Sequence, residues 1–396
     1  MGYGASGRNA GIVGETLDHS HELAAEHFGE SEARELARLG RENLDELGDF
    51  LEAHGVDAEL ERTGQLIMAL TPAHVRQLRA SVDFAQRLGL SDWRFLSAGE
   101  AQAEIHSPLY LGAAFAPRSG TLHPVKLLEG LRKEATRLGV RVFERTRVVE
   151  VSFPGRGVAI RTEAGSVTSE KAVLAANAYS HRLRPRLVSR FLPLYDYILV
   201  SEPLTSSDRA AIGWTRRQGA TDARTFFNYY RPTADGRVLW GTSEAVYYRG
   251  NRVDPGCDHS PEHYEALRAS FRRHFPQLRE LAFPYAWGGP ICSTTRLTPF
   301  FGTAERGRIL YGLGYTGHGI GSTRIAGKIL AHQTLGRRSP LLDLAMVRRR
   351  PLRFPPEPLR GLAVRAVTRR LHRVDEGEPP GLLLRALAAL GIGFSS

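Results

Sequence analysis

Hydrophobic positions recur along this chain at two spacings, and the changes of spacing mark its elements. From Glu30 to His54, Leu36, Leu39, Leu44, Leu47 and Leu51 return every three or four residues, as on one face of a helix, and Gly55 follows as a stop. TGQLIMALT reads as a strand and TPAHVRQLRASVDFAQRLGL as a helix with proline in its first turn. AAFAPRSG is strand-like, and HPVKLLEGLRKEATRLGV predicts a helix with Leu127, Leu128, Leu131, Ala135 and Leu138 on one face. Short alternating segments follow: VRVFE, RVVEVSF, GVAIRT, GSVTSE and KAVLAANA. They predict a meander returning to a buried strand, and the continuous apolar run KAVLAA predicts a central strand covered on both faces.

After Phe191 the pattern becomes strand-rich and aromatic, in FLPLYDYILVSEPL, FFNYYRPT and RVLWGTSE. SPEHYEALRASFRRHF predicts a helix with Ser260 as N-cap and Pro261 at its first position. YAWGGPICSTTRLTPFFG comes next, and RILYGLGYTGHGIGSTRIAGKILAHQTL reads as a strand, a glycine-rich turn and a helix.

Charge adds one question. The 396 residues carry a formal +11, and arginines gather in VRRRPLRFPPEPLRGLAVRAVTRRLHRV near the end. Neither zinc-finger spacing nor an RNA-binding aromatic signature accompanies them, so a solvated face of a C-terminal helix is expected and nucleic acid is not. No apolar run is long enough to cross a bilayer. Cys257 and Cys292 build neither a disulfide framework nor a zinc site, so no metal is expected and a reducing cytoplasm fits.

Gly312, Gly314 and Gly317 satisfy G-x-G-x-x-G between a strand and a helix. A nicotinamide-dinucleotide site needs a second strand ending in an acid, and here the helix runs into LGRRSPLLDL instead. The glycines leave backbone N–H groups open at a helix N-terminus, where an anion developing on a bound ring or phosphate is stabilised.

Taken in order, GYGASGRNAG, GTLHP, AVLAANAYS, YDYILVSEPL, WGGP and GLGYTGHGIG resemble the D-amino-acid oxidase superfamily of flavoenzymes. Its glycine oxidase and γ-glutamylputrescine oxidase-like bacterial members look most similar. The resemblance spans nearly the whole chain. It implies an α/β fold in which a Rossmann-like FAD-binding domain (1–60, 119–190 and 300–340) interleaves with an antiparallel-sheet substrate domain (61–118 and 191–299). A basic helical extension (341–396) completes it. In the family, a strand, a G-x-G-x-x-G turn, a helix and a second strand precede the ASGRN loop. Here the sequence opens inside that loop, so a βαβ unit of roughly 30 residues is expected to be missing and to leave a sheet edge exposed.

The resemblance assigns cofactor contacts position by position. Ser6, Gly7, Arg8 and Asn9 match positions near the pyrophosphate and ribityl chain, and Gly11 one beside the isoalloxazine ring. Val149 matches the residue whose backbone meets the adenine, and Ala175, Ala176 and Asn177 end a strand next to the cofactor. Gly314, Thr316, Gly317, His318, Gly319 and Ile320 would lie along the pyrimidine side of the flavin. The implied reaction is oxidation of a C–N bond in a small amine or amino acid by hydride transfer to flavin N5, with oxygen as acceptor.

Substrate-side candidates come from the aromatic middle. Tyr195, Tyr197, Tyr229, Tyr230 and Trp287 are expected to line an apolar cage, and Arg231 and Arg296 to pair with a substrate carboxylate. His318, Arg296, Tyr230 and Trp287 are the catalytic candidates. ICSTTRLTP resembles the stretch in which sarcosine oxidases attach FAD covalently, but its spacing differs, and attachment at Cys292 is not expected. The alternatives are a flavin dehydrogenase with another electron acceptor, or a non-catalytic remnant acting as a binding protein.

Overall fold

A computed structural model describes residues 1–17 and 19–393. Its strands are β1 (Ile12–Val13), β2 (Gln65–Met68), β3 (Arg94–Leu96), β4 (Ala113–Ala116), β5 (Gly120–Thr121), β6 (Val148–Ser152), β7 (Val158–Thr162), β8 (Ser166–Ser169), β9 (Ala172–Leu174), β10 (Leu192–Val200), β11 (Gly219–Asp222), β12 (Asn228–Pro232), β13 (Val238–Thr242), β14 (Tyr285–Ser293), β15 (Phe300–Ala304) and β16 (Ile309–Leu313). With the helices between them they make a mixed α/β fold.

The largest sheet has the order β14-β10-β13-β12-β11-β2-β4-β3. Its pairs are antiparallel except β11 with β2. Because successive side chains of a strand face opposite ways, β10 divides its residues. Tyr195, Tyr197 and Leu199 enter a core with Trp240, Tyr230 and Phe271, the last from the Pro261–His274 helix. Leu194, Asp196 and Ile198 face the opposite way, into a cavity.

A second, three-stranded sheet has the order β15-β16-β9, with β16 and β9 parallel. Beneath it the Glu30–Ala53 helix packs Leu36 and Leu39 against Ile325 and Ile329 of the Gly319–Leu335 helix. The Glu30–Ala53 helix also lies so close to the loop after β1 that a Cβ at Gly40 would stand 1.8 Å from the Glu15 carbonyl oxygen, which requires glycine there.

Three sequence expectations need correction. VRVFE forms no strand: Val140, Val142 and Phe143 stand exposed in irregular chain. KAVLAA is not a doubly covered central strand, because β9 pairs only with β16 and Val173 is 44% exposed. Similarly, Leu131 and Leu138 of the Pro124–Arg137 stretch and its end are exposed, not packed with Leu127. In each case an apolar surface has the expected composition without a covering element among the described residues.

The arginine-rich segment near the end forms the Leu359–Asp375 helix. It is anchored at both ends. Glu357, just before it, accepts from the Tyr247 hydroxyl and the Gly250 N–H, and Asp375, its last residue, accepts from Thr225 N and Phe226 N at 2.7 and 2.9 Å. Its arginine-rich character therefore describes only part of its surface. Ala363, Val364, Val367 and Leu371, at helical spacing, line the cavity.

Candidate active site

The cavity measures about 550 Å³ and has four walls. The first is the loop that follows the short Ala5–Arg8 helix. Asn9 shapes it by donating to the carbonyls of Ala5 and Ser6 at 3.0 and 2.9 Å and accepting from Gly11 N at 2.9 Å. Gly11 has φ +75°, and a Cβ there would lie 2.0 Å from the Leu122 carbonyl oxygen, so the loop needs glycine at this point. Arg8 lines the cavity and ties the loop to the sheet. It donates to the Gly288 carbonyl at 2.9 Å and pairs with Asp258 at 2.8 Å, while its own carbonyl accepts the Trp287 indole N–H at 2.9 Å.

The second wall is the glycine turn and the N-terminus of the Gly319–Leu335 helix, with Thr316, Gly317, His318, Ile320 and Gly321 reaching the cavity. Among the described residues no side chain caps this terminus, and no acid occupies its first turn, so the terminus suits an electron-rich group. Gly317 has φ +87° and nothing within 4 Å of where a Cβ would stand. The His318 ring meets His19 edge-on at 4.5 Å. Burial lowers the affinity of both rings for a proton, and each is therefore neutral near neutral pH. The helix amides, not a histidine cation, supply the positive potential of this wall.

The third wall is the sheet, with Leu194, Asp196, Ile198, Tyr229, Trp287 and Ile291. The fourth is the Leu359–Asp375 helix, which closes the side away from the sheet's aromatic core.

Of the positions singled out in the sequence, Arg8, Asn9, Gly11, Thr316, Gly317, His318, Ile320, Tyr229 and Trp287 line this one cavity. Gly314 (φ +92°) and Gly319 belong to the same turn. Asn177 supports that turn, accepting from Gly314 N at 3.1 Å. Ser6 is exposed, Gly7 packs under the Gly2 carbonyl, and Val149 and Ala175 lie at the surface, all outside the cavity.

The structure moves other candidates away. Tyr195, Tyr197 and Tyr230 point to the far face of the sheet, where their hydroxyls bond the Asp254 carbonyl, the Cys257 carbonyl and the Tyr110 hydroxyl. Tyr230 is stacked on Trp240 at 4.5 Å. Arg231 donates to the carbonyls of Ala10, Pro232 and Leu122, and Arg296 to those of Arg349, Pro299 and Met346. Both guanidiniums are buried cross-links between loops, so neither is offered to a substrate carboxylate. Cys292 is fully buried in a cluster with Phe191, Phe300 and Leu313, on the face of β14 opposite Trp287 and Ile291. Burial pushes its thiol well above the ordinary range.

The cavity also holds a group that the sequence reading passed over. Asp196 Oδ2 accepts from the Tyr229 hydroxyl at 2.8 Å and Oδ1 from Tyr197 N at 2.8 Å. Burial raises this carboxyl to about 7, against the opposing pull of those two hydrogen bonds. Its signal was the alternation in YDYILV, which puts the acid on the opposite face from its two tyrosines.

Open helix amides on one wall and closely set loop backbone on another suit a flat ring that gains negative charge on reduction, so these residues fit a flavin. Comparison with known proteins agrees. Residues 1–333 match the family model described as FAD dependent oxidoreductase. The chain is 30% identical over 339 residues to γ-glutamylputrescine oxidoreductase of Escherichia coli, covering 85% of this chain and 76% of that protein. It is 27% identical to the probable oxidoreductase OrdL of Haemophilus influenzae, over 85% and 75% of the two chains. The crystal structure of glycine oxidase from Geobacillus kaustophilus superposes with a TM-score of 0.72 at 20% identity, over 88% and 90% of the two chains. With its glycine-lined cavity and this match, the chain belongs to the FAD-dependent oxidoreductase family typified by D-amino-acid oxidase, and is an enzyme of amine or amino-acid type.

Proposed function

We propose that this chain oxidises the C–N bond of a small amine or amino acid and passes the electrons to oxygen, giving hydrogen peroxide. The observation that carries this reading is one cavity bringing together the N-terminal amides of the Gly319–Leu335 helix, the Arg8–Gly11 loop and an apolar, aromatic sheet wall. When bound, FAD would supply the electron sink for the hydride, with its two electrons, lost from the carbon next to the substrate nitrogen, and the Arg8–Gly11 loop and the Thr316–Gly321 turn would hold its ring. The chain's residues do the remainder. The amides at Gly319–Gly321 stabilise negative charge on that wall, and with His318 and His19 neutral this stabilisation comes from the helix terminus and not from an imidazolium. Trp287 fixes the loop against the sheet through the Arg8 carbonyl. The Leu359–Asp375 helix excludes water from the opposite side. The Escherichia coli relative is named for γ-glutamylputrescine and the Geobacillus relative for glycine, so similar proteins act on both an amine and an amino acid.

The test is anaerobic mixing of the flavin-loaded protein with a series of amines and amino acids. Loss of the flavin's visible absorbance, restored by air with formation of peroxide, is the expected result. Reduction without reoxidation by air would remove oxygen as acceptor, and no reduction by any compound would reject the reading.

A further inference from the structure

Within that proposed function, on which this inference rests, the unsettled question is which charge on the substrate the cavity recognises. Among the described residues two buried acids, Glu15 and Asp222, and the half-buried Asp196 line it. Glu15 is paired with Arg41 at 2.8 Å, and Asp222 with Arg224 at 2.8 Å. Asp196 has no cationic partner among the described residues, only the Tyr229 hydroxyl and the Tyr197 amide. Each of its oxygens therefore keeps acceptor capacity. Its surface opens to the cavity, whose neighbouring positions are apolar: Leu194, Ile198, Phe227 and Trp287. An isolated carboxylate in such surroundings is costly, and a cation brought into the cavity removes that cost.

Among the described residues, the arginines at or near the cavity do not meet this need. Arg8 is held by Asp258 and the Gly288 carbonyl, and Arg360 by the Pro355 carbonyl. Arg231 and Arg296, the expected carboxylate clamps, are consumed by backbone carbonyls. Arg353 lines the cavity from the exposed segment before the Leu359–Asp375 helix. Among the described residues the cavity thus offers an acid without a cationic partner on its inner wall, while Arg353 stands where the chain is exposed.

We infer that Asp196 is the residue that selects the substrate, holding the ammonium group of a primary or secondary amine that carries no carboxylate on the adjacent carbon. Its carboxylate pairs with the ammonium and takes one proton from it, leaving the neutral amine that can give up hydride, and Tyr229 orients the carboxylate, while the body of the amine lies along the apolar walls. An α-amino acid in the same pose would bring its carboxylate close to Asp196, where like charges repel. The titratable groups around Asp196 are consistent with its control of binding by pH. Tyr229 on β12 keeps its proton, because burial raises it well above the ordinary range. Arg8 is already paired, β14 contributes Trp287 and glycines, and the histidines of the glycine turn wall are neutral. Asp196 becomes charged as pH rises through about 7, whereas a simple amine stays protonated, so affinity for the amine rises over that interval.

The experiment is titration calorimetry on the full chain, loaded with FAD, using butylamine and 2-phenylethylamine beside 2-aminopentanoate and phenylalanine, which differ from them by the carboxylate. The inference expects the amines to bind more tightly than their matched amino acids, with affinity rising from about pH 6 to about pH 8. Asp196→Asn, which keeps shape and the acceptor for Tyr229, should weaken amine binding by about 30-fold or more and remove the pH dependence. Tyr229→Phe withdraws a hydrogen bond from the charged form and should move the midpoint of the pH dependence upward. Because Tyr229→Phe leaves Asp196 in place, it reports on the acid even where Asp196→Asn folds poorly. Equal amine binding by wild type and Asp196→Asn would overturn the inference. So would tighter binding of the amino acids, with Arg353→Gln as the damaging change. The titrations are run without oxygen, with flavin absorbance followed in parallel: amines held by Asp196 with no flavin reduction would reject the oxidase reading alone, and reduction by amino acids only would reject this inference alone.

Discussion

Asn177, just beyond β9, accepts the backbone N–H of Gly314 at 3.1 Å and so joins the end of one parallel strand to the turn that follows its neighbour β16. The contact sets the height of the glycine turn above the cavity. Asn177 sits at φ +41°, a conformation that glycine also adopts, so Asn177→Gly removes the hydrogen bond without adding backbone strain. Loss of one such bond is worth about 1 kcal/mol, or roughly a fivefold weaker hold on FAD. Fluorescence titration of released flavin measures it. Unchanged affinity would mean that the turn keeps its position without this tie.

Gly317 tests the turn itself. Space is open around its Cα, but its φ of +87° disfavours every β-branched residue, and the open space is the cavity. Gly317→Val should therefore cost both flavin content and turnover while leaving thermal stability within about 1–2 kcal/mol of wild type. Full flavin content in a well-folded Gly317→Val protein would show that the flavin does not approach this residue.

Asp222 governs behaviour in acid. Burial favours its neutral form, but hydrogen bonds from Arg224 at 2.8 Å and the approach of His274 at 3.5 Å prevail and hold it at about 2. Since its folded value lies below the unfolded value of about 3.9, its contribution is complete above that pH and is lost as pH falls toward 2. The contribution is on the order of 2 kcal/mol. Asp222→Asn should lower stability at neutral pH and flatten the acid limb of a denaturation series between about pH 4 and pH 2. An acid limb identical to wild type would assign the loss to other carboxylates.

Much of the fold was readable because its helices are amphipathic and its glycine turn is locally encoded. The Glu30–Ala53 helix and the turn before Gly319 follow directly from leucine spacing and from glycines at positive φ. The sheet wall of the cavity was less readable for a definite reason. Both faces of β10 are buried, so period-2 alternation separates Tyr195 and Tyr197 from Asp196 without saying which set faces the ligand. Selecting aromatics chose the wrong parity. Arg231 and Arg296 were misread because a guanidinium that bonds three carbonyls has the same sequence signature as one that awaits a carboxylate. The fourth wall was hidden by its own arginines, which masked an apolar face at 363, 364, 367 and 371.

Cys292 supplies a simple chemical check. The thiol is 0% exposed, lies behind β14 relative to the cavity, and is pushed up by burial, so it is a poor nucleophile. FAD should leave the protein on acid precipitation, and a thiol reagent should modify Cys292 only after unfolding. Flavin that stays with the precipitated wild type but not with Cys292→Ser would establish a covalent bond instead.

The last prediction concerns the helix that closes the cavity. Asp375 receives two backbone N–H groups, from Thr225 and Phe226, in the loop between β11 and β12. Phe226 and Thr225 themselves line the cavity, so one carboxylate couples the end of the helix to the mouth of the site. Hydrogen bonds to a charged acceptor are worth about 1.5–3 kcal/mol each, enough to matter for a helix whose own buried residues are Arg360 and Gly361. Asp375→Ala should release the Leu359–Asp375 helix without unfolding the sheet. Limited proteolysis should then cut faster between residues 349 and 358, while the melting temperature of the remaining structure changes little. Amines too bulky for the closed cavity should become substrates, with KM for small amines rising because the wall at Val364 and Val367 is withdrawn. Unchanged proteolysis and an unchanged size limit would show that Glu357 and the helix's other contacts suffice to hold the wall closed.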